Sequence, residues 1–335
     1  MERREANRLR YAGGREGHYE SYFLRGNHPE RGLGFWVRYT VFAPKGQPDR
    51  AEAELWAAVF ADRAGGTVAV YAATPFGPAS FGGSGDGLNI RIGAAVLTDD
   101  PVAGSGALSG AVSSGGHEIR WDLAYQGPDE PVLLLAERLY EGRFPKAKVL
   151  VPAPMAVFTG RLVVDGEPVE VAGWTGSQNH NWGSQHTDEY AWGQVAGFDN
   201  APGSFLECST ARVRVAGLRT PWLSPMVLRH EGREYSLTGV GAARRAEGAY
   251  RASGPAYSWT LQSAGAAGPD GQAMISAEFT APAESFVTFD YRDPPGGSKK
   301  CLNTTIARCT VTLARPGREP VILRCANRAA FEILS

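Results

Sequence analysis

Short runs in which apolar and polar residues alternate, cut at close intervals by Gly, Pro and Asp-Gly pairs, leave this chain few folds. With 42 glycines and 22 prolines among 335 residues, long helices have little room, while strands joined by turns have plenty. Alternation predicts strands over 18–25 (HYESYFLR), 35–43, 53–62, 67–73, 88–92, 117–126 and 132–139. Residues 75–116 are rich in Gly, Ser and Ala and read as mostly loop, with GGSGDG at 82–87 as a flexible turn. Prolines and an apolar run at 145–154 suggest a crossing, followed by a hairpin (156–164, 169–173) around Asp165–Gly166. Strands are then expected at 204–215, 226–231, 234–241, 258–262, 273–280, 285–292, 303–314 and 321–334, with a second hairpin at Glu231–Gly232. So many strands with almost no helix imply an all-β protein, and the length suits two consecutive antiparallel β-barrel domains, 1–152 and 153–335.

Composition sets limits on partners. A net charge of −1 and no dense basic patch give no reason to expect nucleic acid. No stretch of about 18 apolar residues is present, so no membrane-spanning helix is expected. The opening MERREANRLR has no apolar run behind its charges, which argues against a secretory signal and for a cytoplasmic protein. Four scattered cysteines (Cys208, Cys301, Cys309, Cys325) without a CxxC spacing read as reduced thiols. Oligomeric state is not legible.

The segment 173–200, GWTGSQNHNWGSQHTDEYAWGQVAGFDN, concentrates aromatic and hydrogen-bonding side chains. Its first half reads as an ordered loop. Its second half alternates, with Tyr190, Trp192, Gln194, Ala196 and Phe198 on one face and small residues opposite. That pattern suits a strand whose large side chains line a cavity holding an apolar small molecule. Candidate ligand contacts are Trp174, Asn181, Trp182, His186, Tyr190, Trp192 and Gln194, joined by Trp36 and Arg38 from the aromatic face of 35–43. His180 and His186 could hold a metal only with a third ligand such as Asp188 or Glu189, and acid–base or hydrogen-bonding roles fit their spacing better. Glu207, set among apolar residues of one strand, would have a raised pKa and could give up a proton, unless Arg212 or Arg214 pairs with it. Glu20 and Glu54 also face inward by parity, with Arg38 a possible partner of Glu54.

These residues resemble the tocopherol cyclase and carotenoid 1,2-hydratase group of lipocalin-like, calycin-type proteins. GHYESYFLR is similar to that group's early Gly-Tyr-Phe-Glu-x-Trp-Tyr-Phe-Arg signature, placing Glu20, Tyr22 and Arg25 on it. HNWGSQHTDEYAWGQ resembles the stretch where Asn-Trp-Gly precedes an aromatic strand ending in Gln, placing Asn181, Trp182, Gly183, Trp192 and Gln194. The His-x-Trp of His180 to Trp182 is similar to one in the hydratases that serves the acid chemistry. The resemblance implies two lipocalin-like barrels and a cofactor-independent cyclase, hydratase or isomerase acting on an isoprenoid or other apolar molecule. His180, Glu207, Glu20 and Glu54 are then the candidate proton carriers. The rival readings are a non-catalytic carrier of an apolar molecule, and an aromatic loop that binds another polypeptide through an exposed patch.

Overall fold

The structure is a computed structural model, and it describes residues 1–62, 67–75, 81–82, 88–215, 218–263 and 265–334. Residues 83–87 of the GGSGDG run lie outside the described residues. The chain divides into two compact units. The first comprises 1–132, 143–186 and 292–298, and the second 133–142, 187–291 and 299–335. An interleaved division thus replaces the single boundary expected near residue 152. The reason lies in pairing: of the two long strands that follow residue 146, 167–183 hydrogen-bonds to the first strand of the chain and 147–164 to 167–183 and 117–126, so both belong to the first sheet.

In the first unit the strands are β1 (His18–Asn27), β2 (Leu33–Ala43), β3 (Glu52–Ala61), β4 (Val68–Pro75), β5 (Phe81–Gly82), β6 (Leu88–Ile92), β7 (Ala95–Asp100), β8 (Ser105–Ser114) and β9 (His117–Gln126). After the two-residue β10 (Val132–Leu133) come β11 (Ala147–Val164) and β12 (Glu167–Gly183). They pair in the order β4-β3-β2-β1-β12-β11-β9-β8-β7-β6-β5. The sheet curls until β4 meets β8, where the Tyr71 N–H donates to Ser114 Oγ at 3.0 Å. The enclosed face carries Tyr22, Leu24, Phe35, Tyr39, Trp121, Tyr125, Phe158 and Trp174, all buried. Each such aromatic removed from water contributes on the order of 2–3 kcal/mol.

Expectation and structure part at three places here. β7 and β8 occupy a region read as loop. Residues 132–139 hold only β10 and a 3-10 turn (Glu137–Leu139) in place of a strand. The supposed loop of 173–183 is the second half of β12, a strand paired on both sides, to β1 and to β11. The hairpin at Asp165–Gly166 forms, with both residues at positive φ (51° and 87°) as a tight two-residue turn requires.

A one-turn helix α1 (Arg3–Ala6) and the residues up to Tyr11 close one end of the first unit's interior. Arg3 and Asn7 both bind Asp99 of β7, and Asn7 also exchanges hydrogen bonds with Gln178 of β12.

In the second unit, β13 (Glu189–Phe198), β14 (Ala201–Arg212), β15 (Arg214–Val215), β16 (Leu218–Arg219), β17 (Met226–His230) and β18 (Arg233–Ser236) come first. Of the strand expected over 234–241, residues 234–236 fall in β18, and its last two residues open a short helix α2 (Val240–Arg245). Then follow β19 (Glu247–Arg251), β20 (Ala256–Gln262), β21 (Ala266–Gly268), β22 (Gly271–Pro282), β23 (Val287–Arg292), β24 (Ser298–Ala314) and β25 (Val321–Leu334). Consecutive antiparallel pairs run β22-β21-β18-β17-β14-β13-β25-β24, and β24 pairs back to β22. That closes a ring and leaves no free edge along it. Its interior is filled by Trp259, Phe279 and Phe331, with Leu206, Cys208, Val195 and Ile333 around them. All four cysteines are buried and free of disulfides.

Candidate active site

Gly193 decides which way β13 faces. A Cβ there would lie 2.5 Å from the Phe279 ring and 2.9 Å from Trp259, so the small residues Ala191, Gly193 and Val195 turn to the filled interior. Tyr190, Trp192 and Gln194 therefore point to the opposite face of the sheet. The interior that their small neighbours face is filled by rings from other strands, so these side chains do not line the inside of the barrel. Nor do they form an exposed patch, since Trp182 and Trp192 are buried and Tyr190 is largely so.

On that opposite face β14 contributes Glu207, fully buried and paired in register with Gln194. Its neighbours Leu206 and Cys208 point inward, which leaves Glu207 beside Phe205 on the outer side. The indole N–H of Trp192 donates to Glu207 Oε1 at 2.8 Å, and the Gln194 side-chain N–H donates to Oε2 at 2.8 Å. Both oxygens accept, which is the geometry of a carboxylate. Of the two arginines in reach by sequence, Arg212 is bonded to Glu189 instead. Burial first, and the Glu207 charge among lesser causes, push the Tyr140 phenol upward, so that hydroxyl lies within reach of the same carboxylate's field and stays protonated. Burial and Glu207 likewise push up the Cys208 thiol.

Trp192 faces a second carboxylate on its other flank, Glu332 of β25. Glu332 accepts from the Tyr190 hydroxyl at 3.0 Å and from the side-chain N–H of Asn303. Sequence reasoning passed over Glu332 and Asn303 and read Cys301 only as a reduced thiol. The available signal was a lone Glu inside the terminal apolar run AAFEIL, the same signal that singled out Glu207.

The first unit holds the remaining candidates in separate places. Glu20 and His180 are brought together: His180 Nε2 lies 2.9 Å from Glu20 Oε1, and its Nδ1 lies 2.7 Å from the Ala6 carbonyl oxygen. Both partners only accept, so the ring fits as a donor at both nitrogens. Glu20 also accepts backbone N–H groups of Arg10 and Tyr11 (2.8 and 2.7 Å), the Tyr22 hydroxyl (3.0 Å) and His18 (3.2 Å). Burial alone would push its carboxyl up. The hydrogen bonds and charges of His18 and His180 outweigh burial and hold it at about 2. A group so firmly ionised and saturated is an anchor for the 3–11 segment. Trp182 stacks near His180 at 4.5 Å and carries the Arg10 guanidinium 4.9 Å over its ring.

Glu54 does not face the apolar interior. Its parity sets it with Trp56 on the other side of β3, where Arg292 binds it and Trp56 Nε1 donates at 3.2 Å. Arg38 bonds Ser21 Oγ at 2.7 Å rather than Glu54. His186 stacks on Tyr19 at 3.8 Å, while His180 stacks on Tyr22 at 4.1 Å. Tyr19 and Tyr22 have opposite parity on β1, so the two histidines lie on opposite sides of it and do not converge on a metal. Asp188 is taken by Lys299 and the Arg214 N–H. Trp174 is core, edge-on to His28 and tilted against Phe35. Trp36 is buried near Phe23, and Asn181 is half-buried with its Oδ1 unpartnered among the described residues.

The chain matches no protein-family model. Two uncharacterised Mycobacterium tuberculosis proteins, MT0513 of strain CDC 1551 and Rv0493c of strain H37Rv, are each 27% identical over 304 residues, covering 90% of this chain and 82% of theirs. Among solved structures, one from Nitrosomonas europaea named as an AttH candidate superposes with a TM-score of 0.57 at 12% identity, covering 98% of this chain and 96% of that one. CghA in complex with Sch210972 also reaches 0.57, at 13% identity and 98% and 94% coverage. Kievitone hydratase from Nectria haematococca reaches 0.54, at 10% identity and 98% and 91% coverage. At these identities the likeness is one of fold, and it spans both units.

Proposed function

We propose that this chain is a cofactor-independent acid–base enzyme, a hydratase, cyclase or isomerase working on an apolar small molecule, with Glu207 as the proton carrier. The observation that carries the reading is Glu207 itself. It is fully buried, yet held by two side-chain donors on the face of the sheet that does not pack the barrel core. Removing an ion from water costs several kcal/mol, and the fold gains no packing from it. Trp192 and Gln194 fix the orientation of the carboxylate, and Trp192 offers an aromatic wall beside it. The ionised carboxylate takes a proton from the substrate or from an adding water. In its acid form it returns that proton to the carbon skeleton, so the balance needs no further reagent. Fold neighbours that include a hydratase and a protein caught with a small molecule support the same class.

The test incubates purified protein with an apolar extract of its host cells and follows compounds by mass. A cyclase or isomerase alters a compound at constant mass, and a hydratase adds or removes one water. Glu207→Gln keeps the size of the side chain and is expected to lower turnover at least ~100-fold. Consumption at the wild-type rate by that variant, or no compound altered by wild type, sinks the proposal.

A further inference from the structure

Next to Glu207 on the same sheet face stands a polar cluster that the reaction above does not use. Glu332 accepts from Tyr190 and from the Asn303 side-chain N–H, and the Cys301 thiol lies 3.7 Å from its Oε2. A carboxylate offers only acceptors. Asn303 must therefore turn its NH₂ toward Glu332 and its carbonyl oxygen away. Asn303 is only 2% exposed, and among the described residues that Oδ1 has no hydrogen-bond partner. Leaving such an acceptor empty costs about 1–3 kcal/mol, a cost a leucine at this position would not carry.

We infer that Asn303, Glu332 and Tyr190 form a subsite for a neutral hydroxyl on an otherwise apolar small molecule, the hydroxyl donating to Asn303 Oδ1. The charge of Glu332 is already met by the donors of Tyr190, Asn303 and Cys301, so the open acceptor suits a neutral donor better than an ammonium. Burial, with Cys301 and Glu332 adding to it, pushes the Tyr190 phenol well above its ordinary value, which keeps it a donor to Glu332. The inference rests on the proposed function only for the apolar body of the ligand.

The matched pair phenol and anisole tests the subsite directly, since the two differ in the hydroxyl hydrogen. Saturation-transfer NMR titrations of the full chain are expected to show phenol binding at least fivefold tighter than anisole. Asn303→Leu is expected to erase that preference, while Glu207→Gln keeps it, which separates this inference from the fate of the proton carrier. As a measurement free of any folding defect in the variant, phenol should shift the Asn303 side-chain NH₂ resonances of wild type and anisole should not. Equal affinities, no phenol binding, no shift, or a preference that survives Asn303→Leu overturns the subsite.

Discussion

Glu20 shows how a single residue can satisfy a sequence pattern and serve a different purpose. Its place in HYESYFLR and its inward parity are both legible, and the structure keeps both. What no pattern contains is its set of partners, since two backbone N–H groups at residues 10 and 11 and a histidine 160 positions later all meet on one carboxylate. Its carboxyl sits at about 2 when folded and near the ordinary 4.5 when unfolded. A depressed folded value means the stabilisation is complete above the unfolded value and fades as pH falls from about 4.5 through about 2. Glu20→Gln is therefore expected to cost about 3 kcal/mol at neutral pH in urea melts, and to lose less stability than wild type across that acid window. A variant as stable as wild type at pH 7 would remove Glu20 from the anchoring role. Glu207 was legible as a lone acid set among apolar residues of one strand. Glu54 was misassigned because parity alone does not say which side of a strand is the interior.

At the scale of the element, strands with clean alternation were read to the residue: β6, β9 and β25 fall where the pattern put them. β8 was missed because glycine stands where a side chain would mark the period. Its Gly106 and Gly110 leave room for the rings of Tyr125 and Trp121, which a Cβ would approach to 2.4 and 2.6 Å. The second half of β12 was missed for a related reason. A Cβ on Gly176 would lie 1.8 Å from the Arg25 carbonyl oxygen, and the Ser, Gln and Asn beside it are buried in hydrogen bonds rather than solvated. Composition imitates a loop wherever backbones crowd. Gly193 of β13 gives the sharpest test of this account. Gly193→Ala is expected to lose about 1–3 kcal/mol, because Phe279 is wedged between Trp259 and Phe331 and cannot yield. Adding Phe279→Leu should recover part of that loss in thermal melts. Simple additivity of the two costs would mean the ring is not what excludes the methyl.

For each unit as a body, the sequence indicated antiparallel barrels and missed how one of them is stoppered. The second unit closes by strand pairing alone, β22 to β24. The first is an open path of strands whose end is shut by the 3–11 segment, riveted by the Arg3–Asp99 pair in full burial. Arg3→Ala leaves Asp99 buried with, among the described residues, only Asn7 and Tyr125 as donors. It is expected to cost about 3–5 kcal/mol in urea melts. The double change Arg3→Ala with Asp99→Asn should give part of that back, and no recovery would mean that the charge left behind is not the source of the loss.

The stopper also sets an order of events during synthesis. Residues 3–11 leave the ribosome well ahead of what they bind: Asp99 follows Arg3 by 96 positions, Gln178 follows Asn7 by 171, and His180 follows Ala6 by 174. Until β12 has been made the seat is incomplete, with Glu20 of β1 and Asp99 of β7 in the chain but Gln178 and His180 still missing. A growing chain must carry this segment without its full set of partners until residue 180 has been made, so a segment that precedes every strand of its unit is among the last parts of that unit to be fully seated.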